Sequence, residues 1–377
     1  MNFSRRRFVE LAGAAGVFLS NTSKAVSLSS STSPTSGSLA NSDWPAGVPL
    51  SRSRVALVHG ENRRKNICEA LVSIDQQIQA GLQRKKYVLI KPNNVSTEIQ
   101  LASTHVDAIS GILDYLAPRF RGPVMIAESS AGDTLVGYDH LGYQPLEREW
   151  KSQRLRLLDL NREAKYQTHT LIDYDLHIIP VRLAARLLDP DAYVICCAVM
   201  KTHNAAVASL SVKNMVLGAP LHSVAGESYW NDKRKFHVGI RQMHYNMLLT
   251  AQKLRPNWGL AVIDGFEGME GNGPNSGTPV PSRVAIASTD YIAADRIALE
   301  VMSINAEWPG YLVYSAKVGL GQYELRNIDV VGSAVASVQR KYRLHMDIDR
   351  QLQWMGPMED LPPKMGKVLD EYSFQHV

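Results

Sequence analysis

The chain has 377 residues, is 45% hydrophobic and carries a formal charge of +5, enough material to bury a large α/β core. Arg5, Arg6, Arg7 and Lys24 against Glu10 put a net +3 into residues 1–25, so the remainder is close to neutral at +2; with no basic stripe interleaved with aromatics, this argues against a nucleic-acid partner. Three cysteines without a C-x-x-C spacing give no support for an iron–sulfur cluster or a structural zinc ribbon.

The N-terminus reads Ser4-Arg5-Arg6-Arg7-Phe8-Val9-Glu10, followed by a weakly apolar stretch over residues 11–19. This is the pattern of a twin-arginine signal. The apolar stretch is far below the roughly 20 residues a membrane span needs. Ser23-Lys24-Ala25 offers the small residues that a signal peptidase reads. Residues 1–25 are therefore expected to be a signal peptide that engages the twin-arginine export machinery, delivers the protein to the periplasm and leaves no stable membrane span after cleavage. That route carries folded proteins, often with a cofactor already loaded, so a metal ion or organic cofactor is in keeping with it. Residues 26–50 are dominated by serine and read as a linker.

From residue 51 to 335 apolar runs alternate with helical periods. Strands are expected at 54–58, 87–90, 124–127, 193–199, 260–263, 284–287 and 328–330. Helices are expected at 66–80, 105–116, 240–254 and 291–302, the last opened by Asp290 as its cap. Such alternation predicts one α/β domain: a mostly parallel sheet with helices on both faces, in Rossmann-like layers, with its site at the carboxyl edge of the strands. Adjacent Cys196 and Cys197 should point to opposite faces of a buried strand as small apolar fillers, and a bridge from Cys68 to either is open outside the cytoplasm. Residues 336–377, with Trp354, Pro362 and Pro363, read as an irregular tail.

The segment over residues 192–220 is the most telling. An apolar run breaks into Lys201-Thr202-His203-Asn204, and Lys213-Asn214 follow. Two lysines, a histidine and an asparagine at a strand's carboxyl end cost stability unless something uses them. Four more predicted strands run into polar or glycine-rich loops: Lys91-Pro92-Asn93-Asn94, Glu128 through Asp133, Asp264-Gly265-Phe266-Glu267 continuing to Gly277, and Ser288-Thr289-Asp290. Were all five strands parallel, these loops would meet on one rim.

Each residue has two readings. Lys91 serves the site, or it only caps a strand or pairs with a surface acid. Glu128 and Asp133 serve an acid/base pair or a metal, with a helix cap favoured for Asp133. Gly271 and Gly273 belong to a glycine-rich stretch whose amides can wrap an anion, although a hairpin turn is the commoner use. No Gly-Lys-Ser/Thr follows it and no strand runs into G-x-G-x-x-G, so neither phosphate-loop nor dinucleotide fingerprint is present. Asp264 and Glu267 could ligate a hard cation. Lys201 should hold the His203 imidazole neutral, able to accept a proton or bind a metal; the bland alternative is a histidine that satisfies backbone groups. His237 and His244 read as structural, with Arg241 and His222 as lesser anion contacts.

These residues resemble family 362 of the domains of unknown function. The resemblance rests on Lys91-Pro92-Asn93, Glu128 to Gly132-Asp133, Met200-Lys201-Thr202-His203, Ser211-Val212-Lys213-Asn214 with Gly218, and Asp264-Gly265 through Gly271-Asn272-Gly273-Pro274. It continues in Ser288-Thr289-Asp290, Ala294-Asp295 and Gly319-Leu320-Gly321. Some members of that family carry ferredoxin-type cysteines, which are missing here. A more distant likeness is to the lactate racemase family with its nickel-pincer nucleotide. It implies an acid/base histidine at His203 and a cofactor-bearing lysine at Lys213, although Leu210 and Ser211 stand where that family has glycines.

The functional expectation is an exported enzyme acting on a small anionic ligand or bound cofactor. His203, Lys201 and Lys213 would be catalytic. Lys91, Asn93, Asn204, Asn214, Gly271 and Gly273 would bind substrate or cofactor, and Asp264, Glu267 and Glu128 would serve a metal. The alternatives are a non-catalytic periplasmic protein that binds or assembles a metal or cofactor, and a racemase- or isomerase-like enzyme with a lysine-tethered cofactor.

Overall fold

A computed structural model describes residues 52–356; the signal peptide and linker expected over residues 1–50, and the tail beyond 356, lie outside the described residues. The strands are β1 (Ser53–His59), β2 (Tyr87–Lys91), β3 (Val124–Glu128), β4 (Arg156–Asp159), β5 (Tyr166–Ile172), β6 (Ile178–Ala184), β7 (Ala192–Thr202), β8 (Ala208–Ser209), β9 (Trp258–Glu270), β10 (Thr278–Val280), β11 (Val284–Ser288) and β12 (Ile328–Gly332). Helices of seven residues or more are α1 (Arg63–Val72), α2 (Asp75–Leu82), α3 (Val106–Leu116), α4 (Thr134–His140), α5 (Ser211–Gly218), α6 (Ile240–Leu254), α7 (Tyr291–Val301) and α8 (Gly310–Lys317).

The main sheet runs β12-β1-β11-β9-β7-β2-β3-β4, with β8 and β10 added to β7 and β9. Helices cover both faces. One core packs Ile67, Leu71, Ile78, Ile112 and Leu116 of α1–α3 against Val88, Ile126, Ile195 and Val262. The other packs Val212, Met215, Met247 and Ile297 of α5–α7 against Leu89, Val194, Cys196 and Ile263. β7 is buried along all its 11 residues, which explains its continuous apolar run. Its adjacent cysteines fall one in each core, and Cys68, Cys196 and Cys197 are all free thiols.

The sheet is mostly parallel, with one reversal that matters. β11 lies antiparallel to both β1 and β9. Its carboxyl end, Ser288-Thr289-Asp290, therefore sits at the opposite edge from the ends of β2, β3 and β7. The expectation that this loop joins the rim is corrected. Apolar alternation specifies burial, and it carries no information on strand direction. Asp290 caps α7, as expected, accepting from Ile292 N and Ala293 N at 3.0 and 3.1 Å, and it borders an open cavity of about 380 Å³ lined by Arg54, Arg255, Trp258 and Tyr291.

The expected helix at 66–80 is two helices, α1 and α2, broken at Ser73-Ile74. β4 and the separate β5–β6 hairpin had no counterpart in the predicted elements. The described part of the C-terminal segment packs on the domain through Tyr342, Gln351 and Trp354, all buried.

Candidate functional site

β2 and β3 are parallel neighbours, and β2 also pairs with β7, so their ends lie side by side at mid-sheet. Lys91 closes β2, Glu128 closes β3, and Asn214 comes from α5. Lys91 Nζ donates to Glu128 Oε2 at 2.9 Å, to Asn214 Oδ1 at 3.1 Å and to Pro92 O at 3.0 Å. Asn93 Nδ2 donates to the same Asn214 Oδ1 at 3.0 Å. Glu128 also accepts from Ser129 N at 2.9 Å and Asn94 N at 3.3 Å. Helix α5 can come this close because position 218 is glycine: a Cβ there would stand 2.1 Å from Lys91 Nζ and 3.2 Å from Glu128 Oε1.

Two more lysines surround this pair. Lys213, on the first turn of α5, is buried and has no hydrogen-bond partner among the described residues. Burial and the Lys91 charge push its pKa down to about 8, although Glu128 opposes the shift. Lys233 comes from the short 3-10 turn Asp232–Phe236. Its Nζ donates to Ser129 Oγ at 2.7 Å and to Leu217 O at 3.3 Å. Burial pushes its pKa down to about 7, with Glu128 opposing and Lys91 and Lys213 reinforcing the shift. Lys233 lies in a connection with no periodic pattern, and nothing in the sequence singled it out.

Buried polar groups with no partner lie close by. Asn94 is fully buried with both amide atoms unsatisfied, and Asn93 Oδ1 and Ser130 Oγ are also unpaired. A buried, unsatisfied polar group costs about 1–3 kcal/mol, and these atoms belong to the residues that follow Lys91 and Glu128 at the ends of β2 and β3.

His203 borders the lysines from the end of β7. Burial, then the charges of Lys213, His237 and Lys201, hold its pKa well below 6.5. Its Nδ1 accepts from Ala205 N and Ala206 N at 3.0 and 3.1 Å. A neutral imidazole that accepts at Nδ1 carries its proton on Nε2. The geometry matches the alternative of a histidine that satisfies backbone groups, and it leaves the Nε2–H of a neutral imidazole for any further contact. The turn that fixes it is strained. Val207 has φ +66° and is spanned by a hydrogen bond from Ala208 N to Ala206 O at 2.7 Å. A β-branched residue in that region costs about 1–3 kcal/mol and is characteristic of functional loops. Val207 O accepts from His203 N, and Gln351 Oε1 accepts from Val207 N at 2.7 Å.

Lys201 is fully buried. Its Nζ donates to Ala102 O at 2.5 Å and to Pro274 O at 3.4 Å, and burial, reinforced by Lys213, holds its pKa well below 10.5. The glycine-rich stretch is the turn of the β9–β10 hairpin. Gly271 N and Gly273 N bond within the protein, to Arg343 O and Gly271 O, while Gly271 O accepts from Thr202 Oγ1 at 2.8 Å. The amides of Gly271 and Gly273 are therefore not free to wrap an anion, and the turn serves to close over the end of β7.

Other expected site residues are exposed or already paired. Asn204 is exposed. Asp264 pairs with Arg63 at 3.3 Å and accepts from Phe266 N, and burial raises its pKa against the pull of Arg63. Glu267 is exposed. With Glu128 bound to Lys91 and Asp264 to Arg63, the expected metal set does not assemble; among the described residues no three His, Cys, Asp or Glu side chains are grouped to hold a metal ion. Asp133 caps α4.

A family model described as "Domain of unknown function (DUF362)" matches residues 88–300, which takes in every lysine of the cluster. A crystal structure of a protein from Thermotoga maritima is similar at a TM-score of 0.40 and 11% identity, over 69% of this chain and 61% of that one. No curated protein matches.

Proposed function

The chain belongs to the family of the domain of unknown function DUF362, and from that premise we propose that it is an enzyme acting on a small anion held in the lysine cluster. The observation that carries this reading is the charge imbalance. Lys91, Lys213 and Lys233 surround the Glu128 carboxylate, and Asp159, which also acts on Lys233, is itself shared with Arg162; burying an uncompensated charge costs several kcal/mol. An incoming carboxylate or phosphate would supply the second negative charge and satisfy Asn94. Charge-assisted hydrogen bonds of that kind contribute about 1.5–3 kcal/mol each. His203 Nε2–H would donate to an oxygen of the ligand. Lys201 reads as support for the loop that covers β7.

The test is calorimetry and thermal unfolding with acetate, glycolate and phosphate. Binding should be lost in Lys213→Met and in Lys233→Met. Anion affinity that is absent, or unchanged by both substitutions, would sink the reading. Turnover separates the enzyme from a carrier that merely holds a metal or cofactor for a partner. Intact mass of natively purified protein separates both from a lysine-tethered cofactor, which would add mass at Lys213.

We propose in addition that the protein is exported to the periplasm. The support is the Arg5-Arg6 pair ahead of a short apolar stretch. Replacing both arginines with lysine should retain the full-length chain in the cytoplasmic fraction.

A further inference from the structure

The three amines of the cluster are not equivalent. Lys91 is saturated, with three acceptors around its Nζ. Lys233 is tied to Ser129 Oγ and Leu217 O. Lys213 has no such partner among the described residues, yet its backbone is held rigidly. Asp295, buried beneath α5, accepts from Ser211 N, Ser211 Oγ and Val212 N at 2.8, 2.5 and 3.0 Å. The result is a buried amine on a fixed helical turn, with cations beside it and no hydrogen bond to hold its Nζ among the described residues. Amines next to other cations in enclosed sites lose that proton readily and become nucleophiles.

Resting on the anion-site reading above, we infer that Lys213 is a nucleophilic amine that captures a small oxo acid as an imine. The Lys213 Nζ lone pair attacks the carbonyl carbon, and the carbonyl oxygen takes a proton from the Lys233 ammonium. One of the two protons now on the Lys213 nitrogen returns to Lys233; the neutral carbinolamine then loses its hydroxyl, together with the remaining nitrogen proton, as water, and the C=N bond forms. Amine and carbonyl become imine and water, so no oxidant or reductant is needed. The substrate carboxylate stays beside Lys91 and Asn94, and His203 Nε2–H steadies the reacting oxygen without giving up its proton. Both pKa values are depressed, to about 8 for Lys213 and about 7 for Lys233, so near neutral pH the two groups exchange protons; Lys213, the more basic of the two, attacks after passing its proton to Lys233 or to solvent.

The experiment is reductive trapping of the purified protein with glyoxylate and cyanoborohydride, read by peptide mass spectrometry. The hydride reduces the C=N bond and leaves a carboxymethyl group on the lysine. The expected result is a dominant adduct on the Lys213 peptide, lost in Lys213→Arg, which keeps the charge but forms no stable adduct, and suppressed by glycolate, which has the carboxylate but no carbonyl. Glyoxylate and glycolate that both bind calorimetrically without a Lys213 adduct would overturn the imine and leave the anion site standing. Adducts spread over exposed lysines and indifferent to glycolate, with no binding of either acid, would overturn both.

Discussion

Lys91 and Glu128 form an ion pair of 2.9 Å in which neither side chain meets solvent, their exposures being 0% and 3%. The two partners are not interchangeable. Removing Lys91 leaves Glu128 with Lys213 and Lys233 still near it, whereas removing the carboxylate strands three amines. Breaking a buried pair costs about 3–5 kcal/mol when the partner charge is left alone. Glu128→Gln should reach that range, and Lys91→Met should cost clearly less. Urea unfolding measures both, and equal losses would refute the asymmetry.

Stability should depend on pH through the depressed lysines. In the unfolded chain Lys213 and Lys233 keep their protons up to 10.5, and in the folded chain they release them at about 8 and about 7. Between those limits the unfolded state binds more protons, so stability rises with pH from about 7 towards 10.5. The variant Lys213→Met/Lys233→Met should lose much of that rise. A saturating carboxylate should flatten it too, because an anion favours the protonated amines. A wild-type rise that the variant reproduces would remove these lysines from the account.

Much of this architecture was legible in the sequence. β2, β3, β7 and β9 betray themselves as apolar runs that stop at charged residues, and Lys91, His203, Lys213 and Asn214 stand where those runs and α5 place them. What was hidden is relational. The direction of β11 leaves no mark on its apolar run, so sequence alone does not say which edge Ser288-Thr289-Asp290 occupies. Arg63 reaches Asp264 from a helix two hundred residues away. Lys233 sits in an aperiodic connection, and only the packing of that connection against Ser129 brings it to the site.

Gly218→Ala isolates the close approach of α5. Alanine is the better helix former by about 1 kcal/mol, so helix propensity alone would make the change stabilising. The added methyl, however, would stand 2.1 Å from Lys91 Nζ and would displace the ammonium from Glu128. The expected outcome is net destabilisation with loss of anion binding, checked by thermal unfolding and calorimetry. A more stable variant that binds normally would show that the ion pair has room to move.

Gln351→Ala tests whether the C-terminal segment governs the loop of His203. Gln351 is fully buried and its Oε1 is the acceptor for Val207 N; losing it leaves a buried amide unpaired at about 1–3 kcal/mol. The strained turn at Val207 should relax and carry His203 with it. Stability and anion affinity should therefore fall together. Reduced stability with unchanged affinity would confine Gln351 to the scaffold.

His203 offers the sharpest separation of structure from chemistry. Its Nδ1 holds two backbone amides, so His203→Ala should unfold more easily as well as bind poorly, and poor binding alone would mean little. Asparagine places a carbonyl oxygen near the position of Nδ1 and nothing at Nε2. His203→Asn should therefore keep the turn, and with it most of the stability, while losing the donor to the ligand. Calorimetry on the two variants decides the point. If asparagine restores both folding and affinity, the imidazole is a backbone clamp, and the ligand's hydrogen bond must come from Asn94 or the lysines.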